Sequence, residues 1–486
     1  MRSAAPSLAI IWFCSHAIAQ TPFALDTSFR ATFNDWAVTS VLALDDGDLI
    51  ISGQIKFPGD IYFRSGARLN PDGSRDTNFP EVAYMGGRLT RWNDRIYSQN
   101  GQIVRRQLLD GTLDPEFIML NDGPYFLSLQ GGDYHVYPDG SVLVSGVHQV
   151  EYPDSNWVGF YNLIWFTADG YLDTTRAPRM GDGHIAALEQ LPGGGFICSG
   201  AMSQYEGHPT SYVFRTYADG RLDTTFYTGV DWGIPYNFLP LADGRCYAAG
   251  RFKLENTTDT LFLVRFLPDG QLDPTFNNHL RFGITDELTN PWGLGGLSSL
   301  TWLDEGRLVL TGQFTDVDGA ARGGICVVDT NGVLLDDHFV GAACGPHTYQ
   351  NDTYALISGI LFTDDDRCYI WGDYHGYTDG TTSDPQQRFV TRLYGPDIGM
   401  GVPTATAPTL QFYPNPASTA LTLRLEALPA NAELVLRDAL GRTVLRQRIA
   451  AQYTTVPVHE LPSGCYSAEL LAHGQRTARH TVVVQR

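Results

Sequence analysis

A five-residue pattern, leucine-aspartate-two residues-phenylalanine, recurs through most of this chain. Its clearest copies are Leu25-Asp26-Thr27-Ser28-Phe29, Leu222-Asp223-Thr224-Thr225-Phe226 and Leu272-Asp273-Pro274-Thr275-Phe276. Weaker copies end at Phe79, Phe117, Arg176 and Phe339. A repeat period of about fifty residues points to a propeller or an array of like units, because one such unit cannot bury its apolar face alone. Most copies follow an Asp-Gly pair and a strand-like run, as in Phe266-Leu267-Pro268-Asp269-Gly270-Gln271.

Residues 227–276 contain a whole unit. The apolar run Tyr236 to Leu241 is followed by Asp243-Gly244, then by Arg245 to Phe252 with Gly250 inside it. A polar loop, the run Leu261 to Leu267, Asp269-Gly270 and the pattern complete it. Asp-Gly between two strand-like runs predicts a hairpin with a type I′ turn. Each unit therefore reads as a four-stranded antiparallel meander, the size of one propeller blade. The recurrent strand glycines (Gly53, Gly146, Gly200, Gly250, Gly312, Gly372) suggest a bulge or a close backbone approach. Counting units predicts an all-β fold: a seven-bladed β-propeller of four-stranded blades over residues 20–396, then a small C-terminal β-sandwich. The copy at Leu25 to Phe29 has no unit before it. It is expected to supply the outer strand of the last blade and so remove an open sheet edge. Within each copy, the Leu and Phe should wedge between blades while the Asp fixes a turn. Arg176, in place of Phe, predicts a looser junction.

These repeats resemble the delta-60 repeat family of bacterial propellers. The likeness rests on Leu267 to Phe276 and on the upstream segment from Asp243-Gly244 to Gly250. It implies a fold and no defined activity.

Both ends of the chain read as export signals. Arg2, the apolar run Leu8 to Phe13 and the small residues Ala17-Ile18-Ala19 before Gln20 predict a signal peptide over residues 1–19, cleaved after Ala19. No other segment is long and apolar enough to span a bilayer, so no transmembrane segment is expected in the mature chain. Residues 397–410 read as a linker, with Pro403-Thr404-Ala405-Thr406-Ala407-Pro408 at its centre. The remaining residues, 411–486, alternate like a small β-sandwich. This tail resembles the type IX secretion C-terminal sorting domain of Bacteroidota. The resemblance is carried by Tyr413-Pro414-Asn415-Pro416, by Gly441-Arg442 within Asp438-Ala439-Leu440-Gly441-Arg442, and by Gly464 and Tyr466 within Leu461-Pro462-Ser463-Gly464-Cys465-Tyr466. It implies the type IX secretion machinery as a partner and a secreted or outer-membrane-anchored location.

A net charge of −20 argues against nucleic acid, since phosphate binding needs a basic face. Six cysteines remain beyond Cys14 (Cys198, Cys246, Cys326, Cys344, Cys368 and Cys465), with no Cys-x-x-Cys spacing; they read as buried small hydrophobes in strands. No catalytic constellation is evident, and no cofactor is expected. His459-Glu460 lacks the second histidine of a zinc-protease helix. Calcium is the one metal weighed. Asp316 and Asp318, and Asp379 and Asp384, place oxygen atoms close together on loops, without completing a twelve-residue calcium loop.

The meander places both Asp-Gly hairpins of a unit on one face and the long variable loops on the other. Loops on a rigid scaffold are where binding residues collect. Trp36, Trp232 and Trp292 stand at matching places before inner strands, with Tyr152, Trp157 and Tyr205 in nearby loops. They are the candidate residues for binding a glycan or protein. The chain thus reads as a non-enzymatic surface binding or adhesion module. Its rivals are a polysaccharide-active enzyme and a purely structural surface protein.

Overall fold

In the computed structural model the chain divides into two compact units, Met1–Ile398 and Gly399–Arg486. The structure describes residues 21–81, 85–100, 103–118, 126–285, 288, 296–396, 411–425, 432–437, 443–459, 461–472 and 475–485. The expected signal residues Ala17, Ala19 and Gln20, the linker, Trp292, Gly441 and Arg442 lie outside them.

Among the described residues there is no α-helix, only one 3-10 turn, Pro153–Ser155. The first unit is built from consecutive antiparallel strands. Sheet 1 joins Asp35–Ala43, Leu49–Lys56 and Arg64–Leu69. Sheet 2 joins Leu89–Trp92, Arg95–Asn100 and Ile103–Leu108. Sheet 3 joins Phe126–Val136, Val142–Tyr152 and Trp157–Phe166, and sheet 4 joins Ala187–Gln190, Phe196–Ser199 and Val213–Thr216. Sheet 5 joins Val230–Pro240, Cys246–Leu254 and Leu261–Phe266, and sheet 6 joins Gly296–Asp304, Arg307–Gln313 and Ile325–Asp329. Sheet 7 joins Leu356–Thr363, Arg367–Asp379 and Ser383–Tyr394, with Ala342–Cys344 on the far end of its middle strand.

The expected fourth strand is reduced to one bridge per sheet. Leu113 bridges Gln107, Leu172 bridges Phe166, Leu222 bridges Thr216 and Leu272 bridges Phe266. The physical reason is the aspartate that follows. Its backbone N–H still bonds back to the third strand, as from Asp223 to the Arg215 carbonyl. Its carboxylate then accepts the N–H two residues on, as from Thr225 to Asp223, and this turns the chain away before a second ladder pair forms. The copy near the N-terminus does the same for the last sheet: Leu25 bridges Leu393, and Asp26 N–H bonds to the Arg392 carbonyl.

The hairpins differ from expectation in turn type. Only the glycine has positive φ, +89° at Gly47, and Gly47 N–H donates to the Leu44 carbonyl while Leu44 N–H donates to that of Asp48. This is a type I turn closed by a glycine bulge, the three-residue hairpin loop. The aspartate before the glycine caps it, as Asp46 accepts from Asp48 N–H. The strand glycines have the role the sequence suggested. A Cβ on Gly53 would lie 2.3 Å from the Ala37 carbonyl oxygen, opposite a register shift between Val38 and Ser40.

Apolar cores lie between sheets. Val41, Leu49 and Ile51 of sheet 1 share a cluster with Tyr369, Phe389 and Val390 of sheet 7. Further clusters join sheets 1 and 2, 2 and 3, 3 and 4, 4 and 5, 5 and 6, and 6 and 7. The pattern phenylalanines are the wedges. Phe29, Phe79, Phe117, Phe226, Phe276 and Phe339 each sit in one of these junctions and are less than 9% exposed. In the copy that ends at Phe339 the bridging leucine is Leu334, to Val328, five residues before the phenylalanine instead of four, and Phe339 adopts φ +57°.

An arginine on the third strand completes four of these locks, and the sequence reading did not single it out. Arg106, Arg215, Arg265 and Arg392 bond to Asp114, Asp223, Asp273 and Asp26 at 2.7–2.9 Å. The same guanidinium groups lie 4.8–5.1 Å from the rings of Phe117, Phe226, Phe276 and Phe29. Arg176 is accommodated by exchange. The third strand of sheet 3 carries Trp165 where its counterparts carry arginine, and the Arg176 guanidinium lies 5.2 Å from that ring and 5.1 Å from Tyr137. The cation and the ring have traded sides, so this junction is filled by a different pairing.

All five cysteines whose side chains are described are free and buried. The second unit is a two-sheet sandwich. Gln411–Tyr413, Ala420–Arg424 and Tyr453–Pro457 form one sheet; Glu433–Arg437, Thr443–Arg448, Gly464–Ala472 and Gln475–Val484 form the other. One apolar cluster, including Leu421, Leu434, Leu470 and Val482, lies between them.

Two outcomes follow for stability. Phe226→Ala opens the junction of sheets 4 and 5 and should cost about 3–5 kcal/mol, read as a lowered urea midpoint. Arg265 and Asp273 are both almost fully buried. Asp273→Leu should cost about 3–5 kcal/mol, because Arg265 is left buried without its carboxylate, and Arg265→Leu should cost less, because Arg245 still reaches Asp273 at 3.3 Å. The double variant should cost clearly less than the sum, measured as a double-mutant cycle.

Candidate surface binding site

The two faces of the first unit differ in what they can hold. A Cβ on Gly47 would lie 3.5 Å from Pro71, so the two hairpin turns of sheet 1 sit side by side. That face is made of short, capped turns. The opposite end carries the loops between second and third strands.

In sheet 1 this loop has a fixed base and an exposed tip. The Asp60 carboxylate accepts from Arg64 Nε at 2.7 Å and from Phe57 N–H at 3.2 Å, and Arg75 approaches to 3.3 Å. The hydrogen bond from Arg64 is the chief cause holding its pKa at about 2, against the opposing effect of burial. Beyond that clamp, Ile61 is 79% and Tyr62 77% exposed. Phe63 turns back, edge-on to Trp36 at 5.8 Å and under the Lys56 ammonium at 5.4 Å. Trp36, held at φ +71°, leans on Tyr349 with ring centroids 4.0 Å apart. Tyr349 closes a small hairpin, His347–Tyr349 with Asp352–Tyr354, that precedes the inner strand of sheet 7. Residues of sheet 1 and its loop and of the hairpin before sheet 7 thus form one aromatic patch.

Beneath the patch lies a buried polar cluster. His347 Nδ1 is 2.5 Å from Asp373 Oδ1, and its Nε2 is 3.8 Å from Asp35. The His347 ring stacks on His375 at 4.1 Å, and both rings meet the edge of Phe389. Burial, seconded by the neighbouring Asp35 charge, raises the Asp373 pKa, although His347 opposes the shift. Burial, then the positive potential of His347 and Arg388, pushes His375 down to about 4, and its Nε2 has no hydrogen-bond partner.

The other expected ligand residues are scattered. Trp232 is 44% exposed, but Lys253 lies 5.0 Å and Arg251 5.9 Å from its ring. Tyr152 and Trp157 face each other at 6.1 Å across the hairpin of sheet 3, both half-buried. Tyr205 is a correction. It has no exposed surface, stacks on Phe214 at 4.9 Å and donates its hydroxyl to the Gly220 carbonyl. Its small hairpin folds the ring inward, so it serves the core and cannot meet a ligand.

The acidic candidates separate in the same way. Asp379 accepts from Thr381 and Thr382 through one oxygen and from Leu25 N–H at 2.7 Å through the other. Asp384 accepts from Gln386 N–H, Gln387 and Arg30. Protein donors therefore occupy these two carboxylates. Asp318 accepts from Arg281 N–H and Asp316 from Gly319 N–H, beside an open cavity of about 710 Å³. Among the described residues no group of three or more His, Cys, Asp or Glu is placed to hold a metal ion.

The sequence reading missed Ile61, Tyr62, Phe63, Tyr349 and the His347–Asp373 pair. The apolar triplet Ile61-Tyr62-Phe63 inside an otherwise polar loop was the available signal. The histidines gave none, being 28 residues apart in sequence and joined only by the packing of the last sheet.

His375 sets an acid limit. A histidine whose folded pKa is depressed makes the unfolded chain the better proton acceptor, so stability is full above about 6.5 and falls as pH drops toward about 4. His375→Phe should flatten that part of the pH–stability curve, measured by thermal unfolding from pH 7 to pH 4.

In the tail, Val483 N–H donates to the Asn415 side chain at 2.8 Å and Ala417 bridges Val484, so the Tyr413 to Pro416 segment is tied to the last strand. Tyr413 is 46% exposed, while Tyr466 is buried and donates to the Pro462 carbonyl beside Gly464. Residues 411–485 match the secretion system C-terminal sorting domain. Residues 67–79 and 241–276 match a β-propeller domain of unknown function, DUF5122. No curated protein matches the chain. Among solved structures it is similar to PorZ, an essential surface component of the type IX secretion system of Porphyromonas gingivalis, with 12% identity and a TM-score of 0.33 over 93% of this chain and 66% of that one. It is also similar to the extracellular domain of a hybrid two-component system from B. thetaiotaomicron, with 10% identity and a TM-score of 0.40 over 96% of this chain and 58% of that one. A fungal alcohol oxidase in complex with copper gives 13% identity and a TM-score of 0.41 over 95% and 100%. The chain spans less than two thirds of the length of the first two. No helix among the described residues is long and apolar enough to cross a membrane. The chain carries DUF5122 β-propeller segments in its first unit and a type IX secretion C-terminal sorting domain in its second, and that domain sends it to the cell surface or the medium.

Proposed function

We propose that this chain is a non-enzymatic binding module, exported and then displayed or released, whose body is a closed ring of seven blades. In this reading each three-stranded sheet, with its single bridged residue (a leucine in all but sheet 1, where it is Arg75), is one four-stranded delta-60 blade. The shared core of sheets 1 and 7 and the bridge from Leu25 to Leu393 support closure. A signal peptide over residues 1–19 would take the chain across the inner membrane, and the tail would engage the type IX machinery.

The observation that carries the binding role is the patch at Ile61, Tyr62, Phe63, Trp36 and Tyr349. Two large apolar side chains stand nearly naked on a loop whose base is clamped by Asp60, Arg64 and Arg75. A rigid base lowers the ordering cost of association, and exposed aromatic and aliphatic side chains on such a base are what an interface anchor requires. An aliphatic tip favours a protein ligand. The tilted Trp36–Tyr349 pair favours the second reading, a glycan stacked on the rings.

The full chain, with or without calcium, should bind members of an immobilised panel of extracellular proteins and glycans. The double variant Ile61→Ser, Tyr62→Ser should lose at least about tenfold in affinity. Both side chains are exposed, so its unfolding temperature should not move. Binding unchanged in that variant, or no binding by the wild type to either class, would overturn the reading.

A further inference from the structure

A second cavity, of about 480 Å³, opens where sheets 2 to 5 come together, away from the aromatic patch. Its lining includes Arg88, Gln99, Asp133, Glu189, Tyr236 and Asn237. Strand irregularity delivers two of these. Register shifts in the first strands of sheets 3 and 5 fall between Gly131 and Tyr134 and between Pro235 and Asn237. The extra residues at those shifts include Asp133 and Tyr236. A bulge re-aims a side chain and leaves its residue out of the ladder.

The charges in the cavity do not balance. Arg88 donates to Asp133 Oδ1 at 2.8 Å and to the Tyr134 carbonyl, and its guanidinium lies 4.7 Å from the Tyr134 ring. Asp133 also accepts from Tyr134 N–H and Leu188 N–H. These two are committed to each other and to the backbone. Glu189 has no ion pair: among the described residues no Lys, Arg or His nitrogen lies within 4.0 Å of its carboxylate, which is met by the Gln190 backbone N–H and the more distant charge of Arg88. It is half-buried, and burial raises its pKa against the pull of Arg88. Across the cavity Tyr236 is 55% exposed. A partly desolvated carboxylate without an ion pair is costly unless a cation meets it. A carboxylate and an aromatic face on one cavity are the two elements that recognise an organic cation.

We propose that this cavity binds a small ligand bearing an alkylammonium or guanidinium group, with Glu189 opposing the charge and Tyr236 covering it. The excess negative charge excludes a small anion, since Arg88 is already taken by Asp133. The volume suits a free diamine or amino-acid amide.

Calorimetry on the full chain at pH 7 tests this with cadaverine and arginine amide as probes. Pentane-1,5-diol, of the same length without charge, and the tripeptide Gly-Arg-Gly serve as comparisons. Saturable binding of either amine is expected, with none of the diol. Glu189→Gln should weaken it at least about tenfold, and Tyr236→Leu several-fold. Affinity should fall as the pH is lowered and Glu189 takes a proton. Equal binding of the diol, unchanged affinity in Glu189→Gln, or no binding of either amine overturns the assignment. Tighter binding of the tripeptide overturns its restriction to small ligands. Should Glu189→Gln fail to fold, Tyr236→Leu and the pH series decide by the same criteria, since the Tyr236 ring is half in solvent.

Discussion

The first unit depends on how one aspartate divides its two oxygens. In Asp273, one oxygen takes the N–H and hydroxyl of Thr275, and the other takes the Arg265 guanidinium. The first pair of bonds bends the backbone after a single bridge. The second fixes an arginine, whose flat face then meets Phe276, and Phe276 fills the gap to the next sheet. Turn, ion pair and wedge are therefore one cooperative device. Burial alone would favour a neutral Asp273; the hydrogen bonds from Thr275, Arg265 and Arg245 more than offset this and hold the carboxyl well below its ordinary range. A buried ion pair is weak evidence of net stability. Here its value is positional, since it sets where the chain leaves the sheet and where the ring lands.

That device confines the constant chemistry to one end of each sheet. The glycine bulges, their aspartate caps and the arginine locks all lie toward the hairpin face. The opposite loops carry no repeated duty, so they can differ from sheet to sheet. Sheet 1 uses this freedom to expose Ile61 and Tyr62 above a clamped base. Sheet 4 uses it to bury Tyr205. The same positional freedom thus yields a surface element in one unit and a core element in another, and the sequence pattern alone does not distinguish them.

What could be read from the sequence follows from that division. The sheets, hairpins and phenylalanine wedges were legible because they repeat in register, and repetition separates signal from chance. The arginines were within reach of the same logic, standing eight residues before the aspartate at Arg106, Arg215 and Arg265, but they are hidden among ordinary strand residues. Tyr349, His347 and Asp373 occur once, and their meeting depends on the last sheet closing against the first. Glu189 and Tyr236 meet across a cavity between sheets. Nothing local marks such pairs, because the distance that matters is created by packing.

The copy that ties the N-terminal segment to the last sheet carries extra bonds. Arg265 and Asp273 are 8 residues apart, whereas Arg392 and Asp26 are 366 apart. Loop-closure entropy grows with the logarithm of that separation, so the distant pair starts about 3 kcal/mol behind. The structure answers with added bonds. Asp26 takes a second arginine, Arg367, at 3.1 Å. Asp379 takes the Leu25 N–H, and Arg30 reaches Asp384. Each bond to a charged group contributes about 1.5–3 kcal/mol where it is well sheltered. Asp379 and Asp384 are the acidic pair that the sequence offers as candidate calcium ligands. Their carboxylates fasten the N-terminal segment to the last sheet, so this loop is part of the seam.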